Sequence, residues 1–170
     1  MRTTKSVIWF VSLAVLAGPS LGNPGVESME RLSPAGLKER MANHKATLLF
    51  FFVNDCPISR RDVSVVNELR RSRSRDDVEV VAVFVGPDSP GPSESRLAFD
   101  RLTIVSDGDR RLVDMVGARV TPEYFVFDRS GTLRYQGAFD DYALGLARHR
   151  KRVTKRYVAD ASIPQPNTFR

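Results

Sequence analysis

The chain has a single cysteine, Cys56, and that scarcity excludes a whole class of chemistry. No disulfide can close within the chain, and no pair of thiols can cycle between reduced and oxidised forms inside it. Histidine is also scarce: His44 and His149 lie far from each other and from Cys56, without the short spacings that gather metal ligands. There is no glycine-rich phosphate loop, no nucleophilic serine motif, no pair of catalytic carboxylates and no internal repeat. Asp140 and Asp141 are adjacent, but an acidic pair between a hairpin and a helix fits a helix cap better than a cation site. No cofactor and no metal are implied.

What is present suits one domain with a core of ordinary size, at 42% hydrophobic and 27% charged residues. The net charge of +6 permits an acidic partner without naming one. Residues 1–22 stand apart: Arg2 and Lys5, an apolar core over 7–17, then Pro19-Ser20-Leu21-Gly22. This three-part layout is that of a secretory signal cut near Gly22. The alternative is a retained membrane anchor, although the apolar run is well short of the roughly 20 residues a spanning helix needs. No cysteine marks the cut site for a lipid. In an exported protein the lone thiol is free, capped, or joined to another molecule.

Residues 23–46 form a polar lead-in, with Ser33 capping a short helix from Pro34 to about Asn43 and His44 facing its last carbonyls. The unbroken apolar run 47–53 predicts a strand buried on both faces. A helix follows over 57–72, burying Ile58, Val65, Val66 and Leu69 and leaving Arg60, Arg61, Arg70 and Arg71 wet. Asp76-Asp77 turns the chain into a second buried strand, 78–85, and the short crossover demands a parallel pair. Residues 86–95 (GPDSPGPSES) predict an exposed loop, 96–101 a short helix, 102–105 a brief strand, and 109–116 a helix closed by Gly117. Strand 124–127, a turn at 128–131 and a return over 132–136 predict an antiparallel hairpin. From about Tyr142 the pattern predicts a helix with Tyr142, Leu146, His149, Val153 and Tyr157 on one face. Its outer face would carry Arg148, Arg150, Lys151, Arg152, Lys155 and Arg156, a solvated basic surface or a weak polyanion contact, with no specific nucleic acid. The division expected is a signal over 1–22, the lead-in over 23–46, the domain over 47–160 and a loose tail over 161–170.

Cys56 falls where the first strand gives way to a helix, with Pro57 at the first helical position, where its missing N–H removes nothing. Unpaired backbone N–H groups and the positive end of the helix dipole favour a thiolate there.

The strand with Cys56-Pro57-Ile58-Ser59, the block Gly117-Ala118-Arg119-Val120-Thr121-Pro122-Glu123-Tyr124-Phe125-Val126-Phe127-Asp128, and Gly131-Thr132-Leu133-Arg134-Tyr135-Gln136-Gly137-Ala138-Phe139-Asp140-Asp141 occur in that order. Over residues 45–141 the chain thereby resembles the thioredoxin-like superfamily, in its redoxin branch related to alkyl hydroperoxide reductase and thiol-specific antioxidant proteins. The resemblance implies an α/β, three-layer fold: a central mixed sheet of parallel strands plus a C-terminal antiparallel hairpin, flanked by helices. It implies that Pro122 is a cis-proline facing Cys56. The Thr121 backbone would then meet an extended peptide or a mixed-disulfide partner, and residues 86–109 would be the insertion redoxins carry.

The chain departs from that pattern at the site itself. The second thiol of the family's Cys-x-x-Cys is Ser59, whose hydroxyl can hydrogen-bond a thiolate but cannot form a disulfide. One-thiol chemistry remains: mixed disulfides, small-thiol caps, or oxidation to sulfenic acid. Arg60 and Arg61 add positive charge if they fold back, and otherwise are solvated. The peroxidase pattern wants a hydroxyl three residues before the cysteine and a proline four further back, where this chain has Val53 and Leu49. Arg119 is the candidate for that pattern's downstream arginine. Many relatives with the Gly-Ala…Thr-Pro-Glu block also carry a Gly-Cys pair near the C-terminus, which Asn167-Thr168-Phe169-Arg170 lacks. The expectation is an exported redox protein, an antioxidant-type oxidoreductase. It would use Cys56 as one thiol toward a protein or small-molecule thiol or disulfide partner. The alternative is a degenerate domain that binds peptide at Thr121-Pro122 without chemistry; a peroxidase is the lesser reading.

Overall fold

The computed structural model describes residues 32–74, 77–86, 99, 102–145 and 148–161. The expected signal segment, the tail from 162, most of the 86–95 loop, most of the 96–101 helix, and Leu146 lie outside the described residues.

The strand called β1 here, Ala46–Phe52, is buried at all seven positions. Successive side chains of a strand point to opposite faces, so an unbroken apolar strand needs cover on both. Leu48, Phe50 and Phe52 pack with Val63, Val66 and Leu69 of α2, Pro57–Ser72. Leu49 and Phe51 pack on the other side with Leu37 and Met41 of α1, Pro34–Asn43, and with Leu112 and Val113 of α3, Arg111–Val116. Three layers follow directly. Each fully buried Phe or Leu of β1 contributes about 1.5–3 kcal/mol.

The strand β2, Val78–Phe84, runs parallel to β1 with Ala46 opposite Val78 and Phe52 opposite Phe84, and β3, Thr103–Ser106, extends the parallel set. On the other side of β1, β4 (Glu123–Asp128) is antiparallel and pairs in turn with β5, Leu133–Gly137. The sheet order is β3-β2-β1-β4-β5, a mixed sheet with an antiparallel hairpin at one edge. The hairpin turn is organised by Asp128. Its carboxylate accepts the N–H groups of Ser130 and Thr132 at 2.9 and 3.0 Å and the Arg134 Nε at 2.7 Å. The Ser130 hydroxyl above all, and then these donors, draw its pKa down to about 2. The cap of α1 is as expected, with the Gly36 N–H donating to Ser33 Oγ at 3.0 Å and His44 Nδ1 2.7 Å from the Arg40 carbonyl oxygen.

The chain beyond Tyr142 is not the basic helix that its apolar spacing predicts. Ala143–Gly145 (β6) and Arg148–His149 (β7) form a small hairpin, an irregular run follows, and only Tyr157–Asp160 is helical (α4). Tyr142 and His149 do meet, their ring centroids 5.1 Å apart, but across the hairpin and not along a helix face. Long-range anchors override the local period here. The Asp141 carboxylate accepts the N–H groups of Thr154 and Lys155 and the Thr154 hydroxyl, and pairs with Arg150 at 3.1 Å. Gly145 sits at φ 142°, a conformation that disfavours any side chain. Arg148, Lys151, Arg152, Lys155 and Arg156 are exposed on this irregular segment and so do not share one helical face.

Candidate functional site

After β1, the residues Val53, Asn54 and Asp55 turn the chain, and the Cys56 N–H reaches the Val53 carbonyl at 3.5 Å. Cys56 is the N-cap of α2 with extended backbone (φ −80°, ψ 117°); its carbonyl accepts the Arg60 N–H at 3.0 Å, and Pro57 opens the helix. The thiol is free and partly exposed, and Sγ lies 3.8 Å from the Thr121 carbonyl oxygen, to which the S–H donates. The Thr121-Pro122 bond is cis. The crossover carrying Cys56 and the edge carrying Pro122 are therefore brought together across the end of the sheet.

The loop that presents Thr121 is held from below by a residue that sequence reasoning passed over. Glu123, only 4% exposed, accepts the Arg119 N–H at 2.7 Å and the Val120 N–H at 3.4 Å on one oxygen, and the Gln136 side-chain amide at 2.9 Å on the other. A carboxylate buried among amide donors is a rigid clamp. Alternation along β4 would have pointed it inward.

The remaining candidates separate. Ser59 is fully buried, and its Oγ has no hydrogen-bond partner, so it does not bond the sulfur in this structure. Arg60 stays at the surface, where its Nε donates to the Asn54 carbonyl at 2.9 Å and its guanidinium approaches Asp55 at 3.8 Å, clasping the turn that bears the cysteine. The Arg119 side chain is exposed and makes no hydrogen bond or ion pair among the described residues. Val53 lines a cavity and Leu49 is wholly buried, so neither offers the donor a peroxide site needs.

Arg61 is partly buried, contrary to the wet position expected from its place on α2. Its guanidinium bridges Asp62 and Asp140, each at 2.7 Å, with its carbon 4.3 Å from the centre of the Tyr142 ring. Asp62 is 3% exposed and also accepts the Tyr124 hydroxyl at 2.9 Å. Burial pushes the Asp62 carboxyl up from its ordinary value, against the opposing pull of Arg61 and Tyr124. Burial first, and then the adjacent Asp62 charge, raise the Tyr124 phenol well above its usual value. One cation and two carboxyl groups can sit here because each is paired and hydrogen-bonded. The signal was available: Asp62 lies four residues before Val66 and seven before Leu69, on the face of α2 that is buried. Asp140 serves this network and accepts the Tyr142 N–H at 2.9 Å; Asp141 pins the later segment.

Two cavities flank the Thr121-Pro122 edge. One of about 160 Å³ lies on the α2 side, bordered by Ile58, Arg61, Asp62, Pro122 and Asp140. The other, of about 270 Å³, lies at the carboxyl ends of β1 and β2, with Phe51, Val53, Val85 and Val113 as its floor and Arg110, Arg119 and Thr121 around it.

A cysteine capping the helix of the first crossover, faced by a cis-proline on the antiparallel side of one mixed sheet, defines a thioredoxin-like protein. Solved structures share this fold. Hypothetical protein SMc02350 of Sinorhizobium meliloti 1021 superposes with a TM-score of 0.55 at 23% identity, covering 66% of this chain and 65% of that one. The exposed lipoprotein thioredoxin Etrx1 of Streptococcus pneumoniae strain TIGR4 gives 0.50 at 20% identity, covering 58% and 77%. Thiol-disulfide oxidoreductase YkuV of Bacillus subtilis (strain 168) is 30% identical over 124 residues, 69% of this chain and 81% of its own. The chain belongs to the redoxin family, whose model, Redoxin, matches residues 24–143. No helix among the described residues is long and apolar enough to cross a membrane.

Proposed function

We propose that this protein performs thiol–disulfide exchange through Cys56 alone. The observation that carries the reading is the partly exposed sulfur 3.8 Å from the Thr121 carbonyl, at the edge made by the cis Thr121-Pro122 bond. The activity in the name of the B. subtilis relative supports it. In the proposed step the Cys56 thiolate attacks a partner disulfide, one partner sulfur becomes bonded to Cys56, and the other leaves as a thiolate. The Thr121 backbone and Pro122 seat the partner's extended segment, Pro57 fixes the start of the helix, Arg60 holds the cysteine-bearing turn, and Arg119 adds positive charge nearby. Ser59 cannot resolve the mixed disulfide, so the linkage persists until an outside thiol attacks it. The first 22 residues are read as an export signal cut near Gly22, and the working domain as running from about residue 47 to 160. Export is a separate claim from the exchange chemistry.

The test is capture. Full-length protein with its own Cys56, mixed with a reduced-and-denatured then reoxidised model substrate, should accumulate a covalent complex that dithiothreitol releases, and Cys56→Ser should accumulate none. Equal non-covalent capture by Cys56→Ser, with no disulfide-linked species in the wild type, would establish the second reading. That reading, a peptide-binding domain without chemistry, is favoured by the hydroxyl at Ser59 where a second thiol would stand. The intact mass of protein recovered from its producing cells tests the cut site, and a full-length mass overturns it.

A further inference from the structure

Apolar lining and two arginines distinguish the cavity of about 270 Å³ from the one on the α2 side. Its size is just below the ~300–1,000 Å³ usual for small-molecule sites. Thr121, whose carbonyl contacts Sγ, lines it, as does Val53, whose carbonyl accepts the Cys56 N–H. The two arginines on its rim are held by their backbones. Arg110 adopts a left-handed conformation (φ 61°), with its N–H on the Asp107 carbonyl at 3.0 Å and its own carbonyl accepting the Asp114 N–H at 2.8 Å. Arg119 is fixed through its N–H on Glu123.

The neighbouring carboxylates do not pair with them, their oxygens being taken by amide donors. Asp107, 2% exposed, accepts the Leu112 and Val113 N–H groups at 2.9 and 2.8 Å, one on each oxygen. Glu123 is likewise occupied on both oxygens by amides. Both guanidinium groups are exposed, without a hydrogen bond or ion pair among the described residues, whereas the next arginine, Arg111, pairs with Asp109 at 3.0 Å. A short aliphatic stem on the floor with carboxylate at the rim satisfies both halves of the cavity.

We propose that this cavity takes a small thiol bearing one or more carboxylates, and that this molecule supplies the resolving sulfur that Ser59 cannot. The inference rests on the single-thiol reading above. After exchange, Cys56 is joined to the partner. The thiolate of one small molecule, its carboxylate held by Arg110 and Arg119, attacks the Cys56 sulfur, so that the partner leaves as a thiolate and Cys56 carries the small thiol. A second molecule attacks the small molecule's sulfur, freeing the Cys56 thiolate and departing as a symmetrical disulfide. Two small thiols have then lost two electrons and two protons, the protons passing through solvent to the partner's two sulfurs.

Two matched disulfides read the reverse exchange on the full chain: dithiodiglycolate, which is dianionic, and bis(hydroxyethyl) disulfide, which is neutral. The readout is the ratio of their rate constants for forming an adduct on Cys56 at low salt, followed by intact mass. Arg110→Asn with Arg119→Gln should lower that ratio about tenfold, the scale of two partly exposed ion pairs, and the difference should shrink at high salt. Asn is chosen because it tolerates the left-handed backbone at residue 110. Lys45→Gln with Arg129→Gln removes the same charge at the opposite end of the sheet, beyond the paired Ala46 and Asp128, and should leave the ratio in place. An unmoved ratio in the cavity variant, or an equal fall in the distant one, overturns the proposal. Arg119→Gln alone repeats the test if the double variant melts early. A wild-type Cys56 that reacts with neither disulfide overturns the single-thiol reading itself, a distinct result.

Discussion

Replacing Arg61 by methionine should destabilise the protein by about 3 kcal/mol near neutral pH, with a loss that shrinks in mild acid. The side chain keeps its stem but loses the guanidinium that bridges Asp62 and Asp140 at 2.7 Å on each side. Removing one partner of a buried pair costs about 3–5 kcal/mol, because the remaining charge is left without compensation. The low end applies here. Arg61 is 26% exposed, Asp62 keeps the Tyr124 hydroxyl, and Asp140 keeps the Tyr142 N–H.

The pH dependence follows from Asp62. Burial already raises its folded-state pKa above the unfolded value, so the native state holds more protons and stability falls as pH rises through the folded value. Arg61 opposes that rise; without it the folded value climbs further and the window of falling stability moves toward neutrality. Urea unfolding of Arg61→Met against wild type, at pH 5 and at pH 7, should therefore show the larger difference at pH 7. A loss below about 0.5 kcal/mol at pH 7, or a larger loss at pH 5 than at pH 7, would refute the claim that this guanidinium compensates two buried carboxylates.

Three further outcomes are expected. Ser59→Ala should leave the urea midpoint unchanged or raise it, since an unpartnered buried hydroxyl costs about 1–3 kcal/mol; a clear fall would mean that Oγ has a bond in solution. Asp141→Asn should speed trypsin cleavage between residues 150 and 156 several-fold while the sheet stays protected from hydrogen exchange, because that carboxylate holds Thr154, Lys155 and Arg150 in place. Wild type should loosen in the same segment as acid protonates Asp141, whose pKa is drawn down to about 2 mainly by the Thr154 hydroxyl. Asp128 contributes stability that is present above the unfolded carboxylate value and lost as pH falls through about 2, so Asp128→Asn should flatten the acid limb of the stability profile.

How far these features were legible depended on the range of the interaction that sets them. The unbroken apolar run of β1, the Ser33 and Gly117 caps and the Cys56-Pro57 junction are written in a few adjacent residues, and each stands within a residue or two of its predicted place. The geometry at Pro122 is not local: only the resemblance to the redoxins led to a cis bond there. The segment from Tyr142 failed because its apolar spacing matched a helix while Asp141, Gly145 and Val158 fastened it elsewhere. Arg61 was assigned to solvent by the default for charged residues, and Asp62 was passed over, although it interrupts an otherwise apolar face of α2. In each failure a long-range contact outweighed the local preference.

The same distinction between paired and unpaired charge bears on the proposed turnover of a single sulfur. In a dithiol protein the resolving group sits one helical turn past the first cysteine; here that place holds a hydroxyl with no solvent exposure. In the proposed cycle an outside thiol takes that role, attacking the partly exposed sulfur beside Thr121. Of the two cavities there, the one on the α2 side already has its cation bound between two carboxylates, so an anion entering it would compete with Asp62 and Asp140. The cavity under Arg110 and Arg119 presents the opposite case, because its carboxylates are occupied by backbone and side-chain amides. Guanidinium groups without an ion partner can pair with an incoming anion without first breaking a salt bridge. On the proposed single-thiol reading, these unpaired guanidinium groups thus favour one approach path of the two, and an anionic resolving thiol over a neutral one of equal size.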